Sequence, residues 1–179
     1  MVLFTVTTAN DENDGGTGGS GLSLREALAL ANSSSGADTI NFAQSLNGQT
    51  ISLTLGELII SDSLTLTGLG ANNLSVSGNN LSRVFRVDNG NSSSALAVSL
   101  SGITLTGGNS SADGGGIFNQ ENLSLSDTIV TGNSAAGNGG GLFNGIGTVT
   151  LSNSTFTNNR ASQDGGGLFN EGSLSASNS

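Results

Sequence analysis

The sequence predicts an all-β fold: a right-handed, three-sided parallel β-helix, or solenoid, with a short N-terminal capping helix. Three observations carry this. The hexapeptide Gly114–Asn119 (GGGIFN) returns as Gly139–Asn144 and Gly165–Asn170 (GGGLFN), with starts 25 (139 − 114) and 26 (165 − 139) positions apart. Self-similarity at such a period marks a stacked repeat. Each period also holds three short apolar stretches. Leu123-Ser-Leu125-Ser matches Val149-Thr-Leu151-Ser and Val98-Ser-Leu100-Ser, and Val130-Thr-Gly-Asn133 matches Phe156-Thr-Asn-Asn159. These stretches alternate with period 2 and are too short for helices. Finally, the chain has 29 glycines and no proline. Proline would remove a ladder donor, and glycine permits tight corners. Each strand is expected to pair with its counterpart one coil later, about 4.8 Å away, so that stacked coils bury one continuous core.

Taken in order, residues 1–8 (MVLFTVTT) alternate Val2, Phe4 and Val6 with Leu3, Thr5 and Thr7, which reads as an opening strand. Residues 10–20 (NDENDGGTGGS) form a polar, acidic, glycine-rich loop. Ser23-Leu24-Arg25-Glu26 is a capping box, in which the serine side chain accepts from the third backbone N–H and the glutamate reaches back. Leu24, Ala27, Leu28 and Ala31 then share one helical face, and Asn32-Ser-Ser-Ser-Gly36 ends the helix, placing it at about residues 23–32. A first coil leaves apolar core and strand edges uncovered, so this amphipathic helix is expected to lie across that end. Less regular coils follow over residues 40–105, punctuated by Gly68, Gly70, Gly78, Gly90 and Gly102. From residue 51 onward about five coils fit, a rod roughly 25 Å long. Leu174-Ser-Ala176 begins a strand that no later coil covers, so either further sequence or another chain is expected to cover it.

The blocks Thr5-Val-Thr-Thr8, Gly21-Leu-Ser-Leu-Arg-Glu-Ala27, Ala31-Asn32, Gly36-Ala-Asp-Thr-Ile40 and Phe42 resemble, in that order, the CSLREA domain. Leu22 stands where the family's name-giving Cys would be. The match covers roughly residues 4–42. The resemblance implies the start of a β-helical region in a large bacterial secreted or surface protein. The GGGIFN and GGGLFN blocks and Phe156-x-x-Asn159 are similar to the GGAI and FxxN motifs of polymorphic outer-membrane protein repeats. Neither resemblance implies a catalytic residue. The chain divides accordingly into a CSLREA-like cap, residues 1–42, and β-helix coils, residues 43–179.

Composition narrows the function classes. The formal net charge is −9, yet only 9% of residues are charged, unlike a disordered polyelectrolyte. The only cations are Arg25, Arg83, Arg86 and Arg160, so the basic surface that nucleic-acid binding requires is missing. No apolar run approaches the ~18 residues of a membrane span, and no stretch has the basic start and apolar middle of a secretory signal. Without cysteine there is no disulfide framework. With no Lys, no His and no adjacent Asp pair, the residues that β-helical polysaccharide enzymes use are wanting, and no enzyme is expected. Arg83 and Arg86 near Asp88 read as a surface ion cluster.

The repeated polar and aromatic columns read as structural. Asn119, Asn144 and Asn170 share one register, and Asn133 and Asn159 another; stacked amides can bond along the axis. Phe118, Phe143 and Phe169 should point away from Ile117, Leu142 and Leu168, placing the aliphatic column inside and the rings on a flank or corner. No cofactor is expected apart from calcium, for which two oxygen-rich groups are candidates: Asp113 and Asp164 with Asn138 between them, and Asp11 and Asp14 in the acidic loop. Neither fits the nonapeptide or EF-hand spacing. Outward Ser and Thr form rows, the pattern an ice-binding solenoid would use.

The function expected is a structural or adhesive module of a large exported bacterial surface protein, extracellular or at the cell surface, whose partner would be a cell-surface glycan or protein receptor. The alternative is a subunit that stacks end to end into fibres through the strands around Leu168 and Leu174 and a partner's residues 1–8. A polysaccharide-active or ice-binding β-helix ranks below both.

Overall fold

The computed structural model describes residues 1–15, 20–91 and 93–179. Part of the loop expected at 10–20, residues 16–19, lies outside the described residues. The chain winds into a parallel β-solenoid of about five turns with one short helix.

An opening strand, β1 (Leu3–Val6), precedes helix α1 (Leu24–Ser33). The first coil is β2 (Asp38–Phe42), β3 (Gln49–Ser52) and β4 (Leu58–Ile60); the second is β5 (Leu64–Thr67), β6 (Leu74–Ser77) and β7 (Phe85–Val87). The third is β8 (Ala97–Ser101), β9 (Thr104–Thr106), β10 (Asn109–Ser110) and β11 (Ile117–Asn119). The fourth is β12 (Asn122–Ser126), β13 (Ile129–Thr131), β14 (Ser134–Ala135) and β15 (Leu142–Asn144). The fifth is β16 (Thr148–Ser152), β17 (Thr155–Thr157), β18 (Arg160–Ala161) and β19 (Leu168–Asn170), and β20 (Ser173–Ser177) follows.

Like strands of successive coils pair in parallel. The first sheet runs β1-β2-β5-β8-β12-β16-β20, the second β3-β6-β9-β13-β17, and another β4-β7-β11-β15-β19. A fourth, β10-β14-β18, adds a short side to the last three coils. This departs from the three sides expected. Its two-residue strands, Asn-Ser, Ser-Ala and Arg-Ala, carry no apolar alternation from which a strand is legible. β1 pairs with β2, and β2 with β5, so the opening strand is part of the same seven-stranded sheet as the coils.

Period-2 alternation sends one apolar column inward from each of the three longer sheets. In the first sheet Ile40, Leu66, Leu100, Leu125 and Leu151 lie in register and are buried. In the sheet of β4 the inward column begins with Ile60 and Val87 and changes to Asn119, Asn144 and Asn170. The second coil is long: Leu66 and its partner Leu100 are 34 positions apart (100 − 66). The excess is the loop after β7, which buried Glu121 anchors by accepting from the Asn89 and Leu96 amides.

The GGG blocks are corners where backbones of neighbouring coils touch. Gly114, Gly139 and Gly165 each have φ near +66°, a region closed to most residues. A Cβ on Gly115 would run into the carbonyls of Ser134 and Gly140.

Candidate functional site

Two regions hold most of the specific side-chain chemistry: the sealed first coil, and the axial columns of the later coils. The cap grows from the predicted capping box. Ser23 Oγ accepts from the Glu26 amide at 3.2 Å, and Glu26 Oε2 accepts from the Ser23 amide at 3.0 Å. The box reaches further than its own helix. Glu26 Oε1 accepts from the amides of Asp14 and Gly15, and Ser23 Oγ donates to the Glu12 carbonyl. The acidic loop is thereby tied to the helix start. Leu24, Ala27, Leu28 and Ala31 are buried in the common core.

Other cap residues satisfy backbone groups of the first coil that have no earlier coil to pair with. Arg25 Nε donates to Asp11 Oδ1 at 2.7 Å and Nη2 to Asp11 Oδ2 at 3.1 Å. Asp11 Oδ2 accepts from the amides of Thr54 and Leu55, while Arg25 donates to the carbonyls of Gly56 and Glu57. The ion pair thus saturates the corner between β3 and β4. Burial pushes the Asp11 carboxyl up, but Arg25 and the two amides outweigh it and hold it below its ordinary value. Asn32 does the same for β4: its Nδ2 donates to the Ile59 carbonyl and its Oδ1 accepts from the Ser61 amide, both at 2.9 Å. One amide side chain stands in for a neighbouring strand, the device that a bare edge requires.

The calcium candidates sit in these networks. Asp11 faces a guanidinium and two amides, and the Asp14 amide is held by Glu26. Asp113, Asn138 and Asp164 do align along the axis, but as a ladder: Asp113 Oδ1 accepts from the Asn138 amide at 2.7 Å, and Asn138 Oδ1 from the Asp164 amide at 3.0 Å. Among the described residues no three His, Cys, Asp or Glu side chains converge on a metal position. Asp113 and Asn138 thus each direct an oxygen at the backbone amide of the next coil.

The asparagine columns bond as the register suggests. Asn119 Nδ2 donates to Asn144 Oδ1 at 2.7 Å, and Asn144 Nδ2 to Asn170 Oδ1 at 2.6 Å. Asn133 Nδ2 donates to Asn159 Oδ1 at 3.0 Å. Each amide also serves a turn: Asn119 donates to the Glu121 carbonyl, and Asn133 accepts from the Gly108 amide. A buried polar column is tolerated because its atoms are paired.

Phe118, Phe143 and Phe169 stack with ring centroids 5.4 and 5.7 Å apart and planes within about 10°. Ile117 and Leu142 point inward and are buried, as expected. The guanidinium carbons of Arg83 and Arg86 lie 5.2 and 5.5 Å from the Phe118 centroid, close enough for cation–π attraction.

The expected surface cluster of Arg83, Arg86 and Asp88 is corrected. Arg86 does pair with Asp88 at 2.7 Å. That pairing is the first reason the Asp88 carboxyl sits below its ordinary value; partial burial opposes it and the Gly90 amide helps. Arg83 is instead largely buried and pairs with Glu57 of the first coil. It also donates to Ser110 Oγ and to the carbonyls of Asp113 and Gly114 in the third coil. It braces three coils where the fourth sheet has not yet begun. Beside it lies an open polar groove of about 570 Å³, bordered by Glu57, Asn109, Ser110, Ala112, Ala135 and Ser162.

The outer face of the first sheet carries two in-register rows. Thr65, Ser99, Ser124, Thr150 and Ser175 form one; Thr67, Ser101, Ser126, Ser152 and Ser177 form the other. Neither row contains a charged residue. Such a face donates and accepts hydrogen bonds over several coils without a charge to repel a partner. No family model matches the chain, and no curated protein or solved structure matches it.

Proposed function

We propose that this chain is a structural and adhesive β-solenoid module of an exported bacterial surface protein. The observation that carries the reading is the charge-free pair of hydroxyl rows spanning β5, β8, β12, β16 and β20. A stacked fold holds such rows rigidly, so contacts to a hydroxyl-rich partner repeat along the axis and their weak individual affinities combine. The partner class is a cell-surface glycan or a receptor protein. The resemblance of residues 4–42 to the CSLREA domain supports export and a surface location. The test is binding of the purified chain to a glycan array and to intact cells. Binding that is lost on replacing Ser99, Ser124 and Thr150 with Glu, in a variant that stays folded, supports adhesion. Absence of binding to every glycan and cell type leaves a passive spacer and defeats the adhesive reading.

A second reading, end-to-end self-assembly, has one specific observation in its favour. The ladder from β16 to β20 pairs Val149 with Leu174 and Leu151 with Ala176. One more strand in the same register would place Val2 and Phe4 of a second copy beside Leu174 and Ala176. Val2 and Leu174 are both about half exposed. Such head-to-tail contacts give open filaments unless they close. Light scattering across a concentration series decides: a 17.6 kDa monomer throughout removes this reading.

A further inference from the structure

The fourth side begins with a step. In the second coil only Arg83 separates Ser82 from Val84, and both of these pair with the third coil. The Asn109 amide donates to the Ser82 carbonyl at 2.9 Å, and the Val84 amide donates to the Gly116 carbonyl at 3.1 Å. Six residues of the third coil, 110–115 (116 − 109 − 1), therefore stand opposite one residue of the second. The surplus forms the added side, and the groove of about 570 Å³ lies at the step. Its volume is within the roughly 300–1,000 Å³ of small-ligand sites.

The polar groups that border this groove are held in place without being saturated. Glu57 is fixed at both ends: its carbonyl accepts from Arg25, and its Oε2 accepts from Arg83. Arg83 is itself pinned by Ser110 Oγ and by the carbonyls of Asp113 and Gly114. The Glu57 side chain is still 27% exposed, and among the described residues nothing donates to its Oε1. Asn109 commits its Nδ2 to the Asn80 carbonyl at 3.1 Å, which leaves Oδ1 as an acceptor. Ser111 is exposed, and among the described residues neither its amide nor its hydroxyl has a partner. Leu81, 70% exposed, adds an apolar surface to the same groove. Fixed acceptors, free donors and one aliphatic patch complement a sugar ring, which carries hydroxyls at its edge and C–H bonds on its face. We infer that the groove is a binding site for a neutral saccharide. Glu57 Oε1 and Asn109 Oδ1 accept from sugar hydroxyls, Ser111 donates to them, and Leu81 packs against the C–H face.

Other ligand classes fit less well. Arg83 neutralises Glu57, and among the described residues no three metal-ligating side chains converge. An anionic sugar would meet the Glu57 carboxylate on a chain of net charge −9. A peptide strand added to a sheet edge needs a run of free backbone groups. Here β10 has only two residues, and the Asn109 amide is already given to Ser82. The groove lies on the fourth side and the hydroxyl rows on the first sheet, so the two sites stand or fall separately.

Titration of the isotope-labelled chain with maltohexaose, cellohexaose and mannohexaose, followed by amide chemical shifts, tests the site. Saturable shifts at the amides of Glu57, Leu81, Asn109 and Ser111 are expected with at least one of these sugars. Hexagalacturonate, the anionic control, is expected to bind about tenfold more weakly, since like charges face each other. Glu57→Gln keeps the shape and removes the charged acceptor. It is expected to weaken binding about tenfold, the scale of a hydrogen bond to a charged group. Where that variant does not fold, Asn109→Ala, at an exposed position, reads the loss of the second acceptor. Glu in place of Ser99, Ser124 and Thr150 is expected to leave the groove shifts unchanged, which separates this site from the adhesive face. No saturable shift with any of the three neutral sugars overturns the site, and so do shifts confined to the first sheet. Equal affinity for hexagalacturonate, or undiminished binding by the folded variants, overturns the assigned roles of Glu57 and Asn109.

Discussion

Arg25 of the capping helix and Asp11 of the preceding loop meet in a two-bond ion pair, at 2.7 and 3.1 Å, and together saturate four backbone groups of the corner between β3 and β4. The Asp11 side chain is 1% exposed and the Arg25 side chain 17%. Removing either partner leaves a desolvated charge beside unpaired amides or carbonyls. Arg25→Ala is expected to cost about 3 kcal/mol by urea denaturation, the scale for breaking a buried pair from one side. A loss below ~1 kcal/mol would place the corner in solvent.

The same pair predicts an acid response. The folded state holds the Asp11 carboxyl below its ordinary value of 3.8. A depressed carboxyl contributes stability that is complete above the unfolded value and is lost as pH falls through the folded one. The contribution is therefore full at neutral pH and drains away below about pH 4. Asp11→Asn should flatten that part of the stability–pH curve. Parallel curves for the two chains below pH 4 would refute the assignment.

How much of this was legible beforehand follows from what each feature depends on. The capping box, the Asn column and the Phe column are local or repeating identities, so spacing alone placed Ser23 with Glu26, Asn119 with Asn144 and Phe118 with Phe143. Arg83 repeats nowhere, and its partners Glu57 and Ser110 are 26 and 27 positions away on either side. Only the winding of the chain brings them together, and proximity to Asp88 in sequence misassigned it. Asn32 read as a helix stop, yet its amide also works as a strand edge, a role visible only once β4 lies beside the helix. The fourth side escaped because hydrophobic alternation needs more than two residues.

The Phe column gives a graded prediction. Phe143 lies between two rings and is 6% exposed, whereas Phe169 has a ring on one side only. Phe143→Ala should cost about 3 kcal/mol, near the lower end for a large buried aromatic. Phe169→Ala should cost about half as much. Equal costs, read from urea midpoints at constant slope, would mean that neither the second neighbouring ring nor the deeper burial of Phe143 adds to its energy.

The Asn column predicts a loss larger than one hydrogen bond. Asn144 is fully buried; its Nδ2 serves Asn170 and the Gly147 carbonyl, and its Oδ1 accepts from Asn119. Asn144→Ala leaves the Asn119 amide and the Gly147 carbonyl without this partner in a dry interior. The Gly147 carbonyl keeps the Ser173 amide, and Asn119 keeps the Glu121 carbonyl. The cost is therefore that of the three lost bonds. At about 1 kcal/mol each, a destabilisation of roughly 3 kcal/mol by urea denaturation is expected.

Arg83→Lys tests whether the brace depends on geometry or on charge alone. The guanidinium serves Glu57, Ser110 and the carbonyls of Asp113 and Gly114 at once, and covers the Phe118 ring. A lysine keeps the charge, so the attraction to Glu57 survives. It has three donors on one nitrogen and cannot reach groups spread around a plane, so the exchange is not conservative. The carbonyls of Asp113 and Gly114 belong to the corner that begins the GGG block, and freeing them should loosen that corner before the rest of the rod. Hydrogen exchange is therefore expected to speed up at the amides of residues 110–116, with the amides of β16 and β17 unchanged. Global destabilisation should stay near 1 kcal/mol, the scale of one lost hydrogen bond. Uniform acceleration along all coils would show that Arg83 supports the whole stack. No acceleration anywhere would show that the corner holds without it.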